Sequence, residues 1–144
     1  MKHSFVFILM LLLLSLVALA SCKKEESPDY PELIGFWNGT TSQGNPIRFK
    51  IENEKGTLYI TQYELLVNFG SGSQTYEHTN NRGIVALSGL HFDLPLGTGS
   101  VGPAYIDGNF DYGATTITLS GTFAVYYPSS SVDMVTGNYT AYRY

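Results

Sequence analysis

Apolar and polar residues alternate along most of the chain after residue 33. The clearest case is residues 115–125, where one face is apolar or glycine and the other is mostly threonine and serine. The first face consists of Ile117, Leu119, Gly121, Phe123 and Val125. Period-two alternation indicates a β-strand with one buried and one solvated face. Residues 47–52 and 106–111 alternate in the same way, and no stretch has sustained helical spacing. We therefore predict an all-β fold.

Turn residues separate these segments and predict how the strands connect. Glycine, proline and asparagine recur at Gln43–Pro46, Lys55–Gly56, Asn80–Gly83 and Tyr112–Gly113. Such clusters mark short turns, and about eight strands joined by them favour an antiparallel up-and-down meander. Closing the sheet would remove its exposed edges, and about eight strands enclose space for side chains or one small ligand. We predict a single antiparallel up-and-down β-barrel of about eight strands over residues 33–144.

The N-terminus has the pattern of a secretory signal peptide. Lys2 and His3 precede residues 5–20, which are apolar apart from Ser15. This run is shorter than the roughly 20 residues that a transmembrane helix needs. A basic start, a leucine-rich centre and small residues at the end are typical of a secretory signal. We predict a signal peptide over residues 1–21.

The only cysteine of the chain, Cys22, follows this segment directly. Leu19-Ala20-Ser21-Cys22 resembles the lipobox of bacterial lipoproteins, in which the cysteine is lipidated and becomes the mature N-terminus. Each buried CH₂ of an acyl chain contributes about 0.8 kcal/mol, and stable anchoring takes more than one chain. The resemblance therefore implies that the membrane is a partner through N-terminal acyl chains on Cys22.

The residues after the cysteine carry a second signal. Lys24, Glu25 and Glu26 look like the export signal that sends lipoproteins of the phylum Bacteroidota to the outer cell surface. The resemblance implies an outer-membrane, lipid-anchored protein exposed on the cell surface. Because charged linkers extend by self-repulsion, we expect residues 22–32 to form a lipidated, charged, flexible tether.

Composition and the scarcity of reactive residues exclude several functions. The formal net charge is −4, and Lys and Arg are scattered, which argues against nucleic acid as the main partner. His91 and Asp93 share a strand face, but two ligands do not make a zinc site, and Ser88 lacks the surroundings of an activated nucleophile. Asp107 and Asp111 share a polar face that we expect to be solvated. We expect a monomer without a metal, a cofactor or enzymatic activity.

The two ends of the predicted barrel resemble a known fold. Gly35-Phe36-Trp37 opens the first strand and Arg143 lies near the end of the last. Together they look like a calycin, the lipocalin and avidin type of barrel. The resemblance implies that Arg143 stacks on the ring of Trp37 and closes the barrel structurally. As a whole, the chain is most similar to small lipocalin-like lipoproteins of Bacteroidota.

A hollow barrel predicts non-catalytic binding of a small apolar or amphiphilic ligand in the interior. The inward candidates for ligand contact are Phe49, Ile51, Phe110, Leu119 and Phe123. Within Ser88–Ala104, Leu90–Leu96 alternates like a strand, and the glycine-rich run after it is predicted to be either a lid loop over the barrel mouth or a plain mobile surface loop. One alternative is a protein-interaction or inhibitor module that uses the barrel loops. Another is a carbohydrate-binding accessory of a glycan-uptake system, with exposed tyrosines as a platform; the candidates are Tyr105, Tyr112, Tyr126 and Tyr127.

Overall fold

The computed structural model describes residues 29–79, 83–99, 102–127 and 133–144. The predicted anchor Cys22 and export residues Lys24, Glu25 and Glu26 lie outside these ranges. A 3₁₀ turn, Pro31–Leu33, comes first within them. The strands that follow are β1 (Gly35–Thr41), β2 (Pro46–Glu54), β3 (Thr57–Asn68), β4 (Ser73–His78), β5 (Val85–Ala86), β6 (His91–Gly99), β7 (Gly102–Tyr112), β8 (Ile117–Tyr126) and β9 (Met134–Arg143).

The strands form one antiparallel sheet that curls into a half-barrel. Their order is β4-β3-β2-β1-β9-β8-β7-β6, and β5 pairs with the first half of β3. Along this order, neighbouring strands are also neighbours in sequence except where β1 meets β9, and the added pairing of β5 with β3 passes over β4. The predicted all-β, up-and-down, barrel-like fold is confirmed. Among the residues that the structure describes, β4 and β6 stand at the two ends of this order and are not paired with each other.

The seam between the first and last strands joins the two halves of the sheet. Residue pairs run from Trp37 opposite Arg143 to Thr41 opposite Tyr139. In this register, the inward residues of β1 lie beside the inward residues of β9. Trp37 and Tyr139 are buried, while Tyr142 is half-exposed on the outer face. The sequence predicts this division, because Gly35, Trp37 and Gly39 fall on one face of an extended strand, as do Gly137, Tyr139, Ala141 and Arg143.

Aromatic rings fill the centre of the core. Trp37 and Phe110 meet edge to face with their ring centroids 5.0 Å apart, and Phe92 lies 6.3 Å from Phe110. Phe49 in turn lies 5.5 Å from both Phe92 and Tyr139. These contacts connect β1, β2, β6, β7 and β9 across the curled sheet. The core therefore bridges the two halves of the sheet even where no backbone hydrogen bonds join them.

The strand-like alternation of Leu90–Leu96 is confirmed by β6, but the glycine-rich run after Leu96 is not the long loop that was predicted. β6 continues to Gly99 and pairs with β7, which begins at Gly102. The register shifts between Pro95 and Gly97, and Gly97 has a φ of 136° that L side chains rarely adopt. A bulge with glycine thus absorbs the irregularity and lets the hairpin continue.

Candidate functional site

The five residues predicted to contact an interior ligand all point inward. Each is at most 2% exposed. They are Phe49, Ile51, Phe110, Leu119 and Phe123. All five belong to one cluster of buried residues that pack on one another. Their contact with a ligand stays a prediction, and side chains occupy the space around them.

The closure predicted for Trp37 and Arg143 has a definite geometry. Trp37 is fully buried, and its Nε1–H donates to the Leu33 carbonyl at 2.9 Å. Arg143 lies opposite Trp37, and its side chain runs over Gly35, where its Nη1–H donates to the Glu32 carbonyl at 2.7 Å. Both side chains thus hold the 3₁₀ turn against the end of the barrel. Stacking of the guanidinium on the indole stays a prediction.

The histidine–carboxylate pair lies at the start of β6, with His91 partly and Asp93 largely exposed, and the backbone of His91 pairs with that of Ser88. His91 Nε2 lies 3.0 Å from Asp93 Oδ2, and Nδ1 lies 3.0 Å from Asn109 Oδ1. The hydrogen bond with Asp93 is the main reason why the pKa of His91 is raised above its usual value. Both ring nitrogens therefore already have side-chain partners, whereas a general base needs a free nitrogen facing a hydroxyl. Within the described ranges, no group of three or more His, Cys, Asp and Glu residues could hold a metal ion.

The two aspartates on the polar face of β7 do not act as a pair. Asp107 accepts from the Thr122 backbone N–H at 2.9 Å and from its hydroxyl at 2.5 Å. Its two carboxylate oxygens are thus bonded to one neighbour on β8. Asp111 is exposed, as the sequence predicted. This arrangement ties two strands together and leaves no buried carboxylate for acid–base work.

The tyrosines predicted to form a platform have separate structural roles. Tyr112 donates to Glu32 Oε1 at 2.5 Å beside the 3₁₀ turn. Tyr126 donates to the Gly102 carbonyl at 2.5 Å, and Tyr127 packs edge to face on Phe69. Tyr112 stands opposite Ile117 at the start of β8, whereas Tyr105 stands opposite Ala124 near the end of β8, where Tyr126 and Tyr127 follow. Tyr112 is therefore separated from the other three tyrosines along the strands.

A different surface combines aromatic and polar groups. An open groove with a volume of about 230 Å³ lies across β1, β2, β3 and β4. We call it the outer groove. It is lined by Phe36, Arg48, Phe49, Lys50, Gln62, Tyr63, Glu64, Glu77, His78 and Thr79. Two transverse rows of cross-strand partners form its outer-face walls: Phe36–Lys50–Gln62 and Arg48–Glu64–Glu77.

Phe36 forms the aromatic wall of the outer groove, and Lys50 contacts one side of its ring. Phe36 is 51% exposed although it is a large apolar side chain on a solvated face. Lys50 Nζ lies 5.5 Å from its ring centroid, a cation–π arrangement. The same ammonium lies 2.9 Å from Glu52 Oε1, and this bond is the main reason why the pKa of Glu52 is lowered. The ring therefore stands in a fixed place with about half of its surface open to solvent.

Each lysine and arginine in the lining of the outer groove is paired with a carboxylate. Arg48 Nη1 lies 3.1 Å from Glu64 Oε2, and Lys50 is paired with Glu52. Glu77 continues the same row on β4. These groups offer both hydrogen-bond donors and acceptors without a strong net charge. The groove can therefore bind polar groups of either kind beside an apolar ring.

Two further exposed aromatic residues lie next to Phe36 across the seam. The Tyr144 backbone N–H donates to the Phe36 carbonyl at 2.8 Å, and Tyr142 pairs with Asn38, two residues from Phe36 on the same face. Tyr142 is 51% exposed and Tyr144 is 95% exposed. We call Phe36, Tyr142 and Tyr144 the seam aromatics. They extend the aromatic wall of the outer groove onto β9.

A second surface depression is larger than the outer groove but has fewer charged groups in its lining. It has a volume of about 480 Å³ and lies along the β6–β7 hairpin. Asp93 is the charged residue in its lining, which is otherwise mostly small or apolar. The lining residues are Asp93, Leu94, Pro95, Gly97, Pro103, Ala104 and Tyr105. It lacks the combination of an exposed ring with paired charges that distinguishes the outer groove.

Comparisons of the chain with protein-family models, with curated proteins and with solved structures found no match. Its similarity to lipocalin-like lipoproteins therefore stays a prediction. Within the described ranges, no helix combines the length and the apolar character needed to cross a membrane. The fold and the surface geometry are thus the basis for a functional proposal.

Proposed function

We propose that this protein is a membrane-tethered, non-catalytic binding module that takes a small amphiphilic ligand in the outer groove. The observation that carries the proposal is the half-exposed ring of Phe36 beside two ion pairs. An apolar wall with a few convergent polar groups is the usual composition of a ligand site. Its ligand must present one apolar face and a polar rim.

The packing of the interior favours this outer site over the hollow barrel. Core side chains such as Phe49, Phe92 and Phe110 contact one another through their rings. Protein interiors are packed as densely as organic crystals, so a ligand would have to displace such side chains before it could enter. The outer groove is open and requires no such rearrangement.

The membrane tether is proposed from the sequence. Cys22 would carry the acyl chains, and Lys24, Glu25 and Glu26 would direct the protein to the cell surface. Eight residues lie between Cys22 and Pro31, which are therefore nine residue steps apart. A fully extended chain of that length spans about 30 Å at most. The barrel would therefore stand close to the membrane while its outer face meets solutes.

Ligand-observed NMR on the mature lipidated protein in nanodiscs tests the proposal. Candidate ligands are neutral and acidic oligosaccharides, fatty acids and aromatic glycosides, measured by saturation transfer. We expect hits whose signal is lost in Phe36→Ala and kept in Met134→Ala, because Met134 is also an exposed apolar residue of the sheet but does not line the outer groove. Hits that keep their full signal in Phe36→Ala would contradict the proposed site, as would the absence of any hit.

A further inference from the structure

We infer that the ligand of the outer groove is a neutral oligosaccharide that runs across the seam from Phe36 to Tyr142. This inference rests on the proposed function, because it names the ligand class for the same site. Three features carry it: the spacing of the seam aromatics, the pairing of every cation in the groove wall, and a transverse row of polar side chains.

The seam aromatics offer more than one stacking position. Phe36 and Tyr142 are diagonal neighbours, since Tyr142 pairs with Asn38 two residues further along β1. Diagonal neighbours on one sheet face are about 7–8 Å apart, so the two rings can contact successive sugar units of one chain. The face of an aromatic ring is electronegative and attracts the slightly positive C–H groups on the flat side of a pyranose. A ligand with a single small ring would use only one of these positions.

The charge pairing favours a neutral ligand over an anionic one. Arg48 and Lys50 are each bonded to a carboxylate of their own, Glu64 and Glu52. An acidic sugar or a fatty acid would have to compete with these carboxylates for the cations. Hydroxyl groups can accept from the cations and donate to the carboxylates while both ion pairs persist. The groove wall is therefore complementary to a polyol.

A row of mostly polar side chains extends from the outer groove across the seam and offers further hydrogen-bonding groups. Thr118, Tyr142, Asn38, Arg48, Glu64 and Glu77 are successive cross-strand partners on the outer face. Neighbouring strands lie about 4.8 Å apart, so the five spacings in this row cover about 24 Å along the sheet. An oligosaccharide of several units fits this length. Amide, hydroxyl and carboxylate groups along the row can each bond sugar hydroxyls.

Equilibrium binding of defined oligosaccharides to the mature lipidated protein in nanodiscs tests the inference. The probes are neutral hexasaccharides of glucose, xylose, mannose and galactose, with hexagalacturonate as the acidic probe and laurate as the fatty acid. We expect at least one neutral hexasaccharide to bind, and its affinity to exceed that of the matching disaccharide. Tyr142→Ala should weaken hexasaccharide binding by about tenfold or more, as for a central aromatic contact, whereas Tyr142→Phe should keep it. Met134→Ala is the control for loss of an exposed apolar side chain.

Salt dependence separates the ligand classes. Affinity for a neutral glycan should change little between about 0.05 and 0.5 M NaCl, whereas a charged ligand loses affinity through screening. Failure of every neutral hexasaccharide to bind would overturn the inference, as would equal binding by Tyr142→Ala. Suppose that only laurate or hexagalacturonate binds, and that this binding depends on Phe36. The neutral oligosaccharide is then the wrong ligand class, but the outer groove remains the binding site. If bound probes do not depend on Phe36, the proposed function itself fails.

Discussion

Gly121 on β8 lies so close to the backbone of Asp107 that a Cβ atom built on it would stand 2.0 Å from the Asp107 carbonyl oxygen. The same carbonyl accepts the hydroxyl of the buried Tyr139 at 2.6 Å. β7, β8 and the side chain of Tyr139 therefore pack so closely here that residue 121 has room for a hydrogen atom but not for a Cβ atom. The sequence pattern places a glycine beside an inward aromatic at this position, which predicts that the glycine makes room for a neighbour.

Gly121→Ala should destabilise the fold strongly. The added methyl group meets backbone rather than a flexible side chain, so β7 and β8 must separate locally. We expect a loss of about 3 kcal/mol, at the upper end for overpacking, measured by urea unfolding. Gly72→Ala is the matched control, because nothing lies within 4 Å of its Cβ position. A loss below about 1 kcal/mol for Gly121→Ala would contradict the close approach.

Trp37 should be among the most important residues for stability. Its ring is fully buried against Phe110, and its indole N–H donates to the Leu33 carbonyl. Trp37→Ala should therefore lower the free energy of unfolding by about 3–5 kcal/mol, as large-to-small core substitutions do. Trp37→Phe, which keeps an aromatic ring, should cost clearly less. Equal losses in the two variants would show that ring packing does not explain the effect.

The raised pKa of His91 should depend on Asp93. The protonated imidazole is favoured mainly by its hydrogen bond with this carboxylate. Asp93→Asn should bring the pKa of His91 down toward the usual value of about 6.5, as followed by NMR titration of the imidazole. Asn109→Ala should have a smaller effect, since Asn109 contributes less to the shift. If the pKa of His91 is unchanged in Asp93→Asn, the Asp93 carboxylate is not the cause of the shift.

The same shift sets the sign of a pH effect on stability. Because the pKa is higher in the folded than in the unfolded state, the pair stabilises the fold below about pH 6.5, and this contribution is lost as pH rises through the folded-state value. His91 and Asp93 are largely exposed, so the contribution should be small. Unfolding curves between pH 5 and 8 should show this small decline in the parent and a weaker one in Asp93→Asn. If the stability of the parent rose over this pH range, the predicted sign of the His91 contribution would be wrong.

The membrane tether makes a prediction that is independent of the fold. Cys22→Ala removes the sulfur that would carry the acyl chains, so the protein should move from the membrane fraction to the soluble fraction after cell lysis. A conservative substitution nearby, Lys23→Arg, should leave the membrane fraction unchanged. Retention of Cys22→Ala with membranes would show that the protein is not anchored through this residue.

Local alternation was enough to predict most of the fold. The apolar face of residues 115–125 is the buried face of β8, with Leu119, Phe123 and Val125 fully buried. The turn predicted at Lys55–Gly56 has positive φ at both residues, 55° and 90°. Such features depend on neighbours along the chain, so the sequence reports them directly. The loop predicted from the glycines after Leu96 was wrong because glycine marks a bulge in a strand as well as a loop.

The candidate site depends on pairing between distant strands. Parity along β1 and β9 already placed Phe36 and Tyr142 on the outer face. That the two become neighbours follows from the register of the first strand with the last, which local patterns do not specify. Likewise, alternation identified the inward residues but not whether they enclose space, since that depends on how rings from five strands meet.

Intermolecular nuclear Overhauser effects between a bound ligand and the protein test the central claim most directly. The ligand would be the tightest-binding probe, added to the mature lipidated protein in nanodiscs. The outer groove predicts contacts from ligand protons to the ring protons of Phe36. Contacts to the buried methyl groups of Leu119 and Val125, with none to Phe36, would place the ligand inside the barrel and contradict the proposed site.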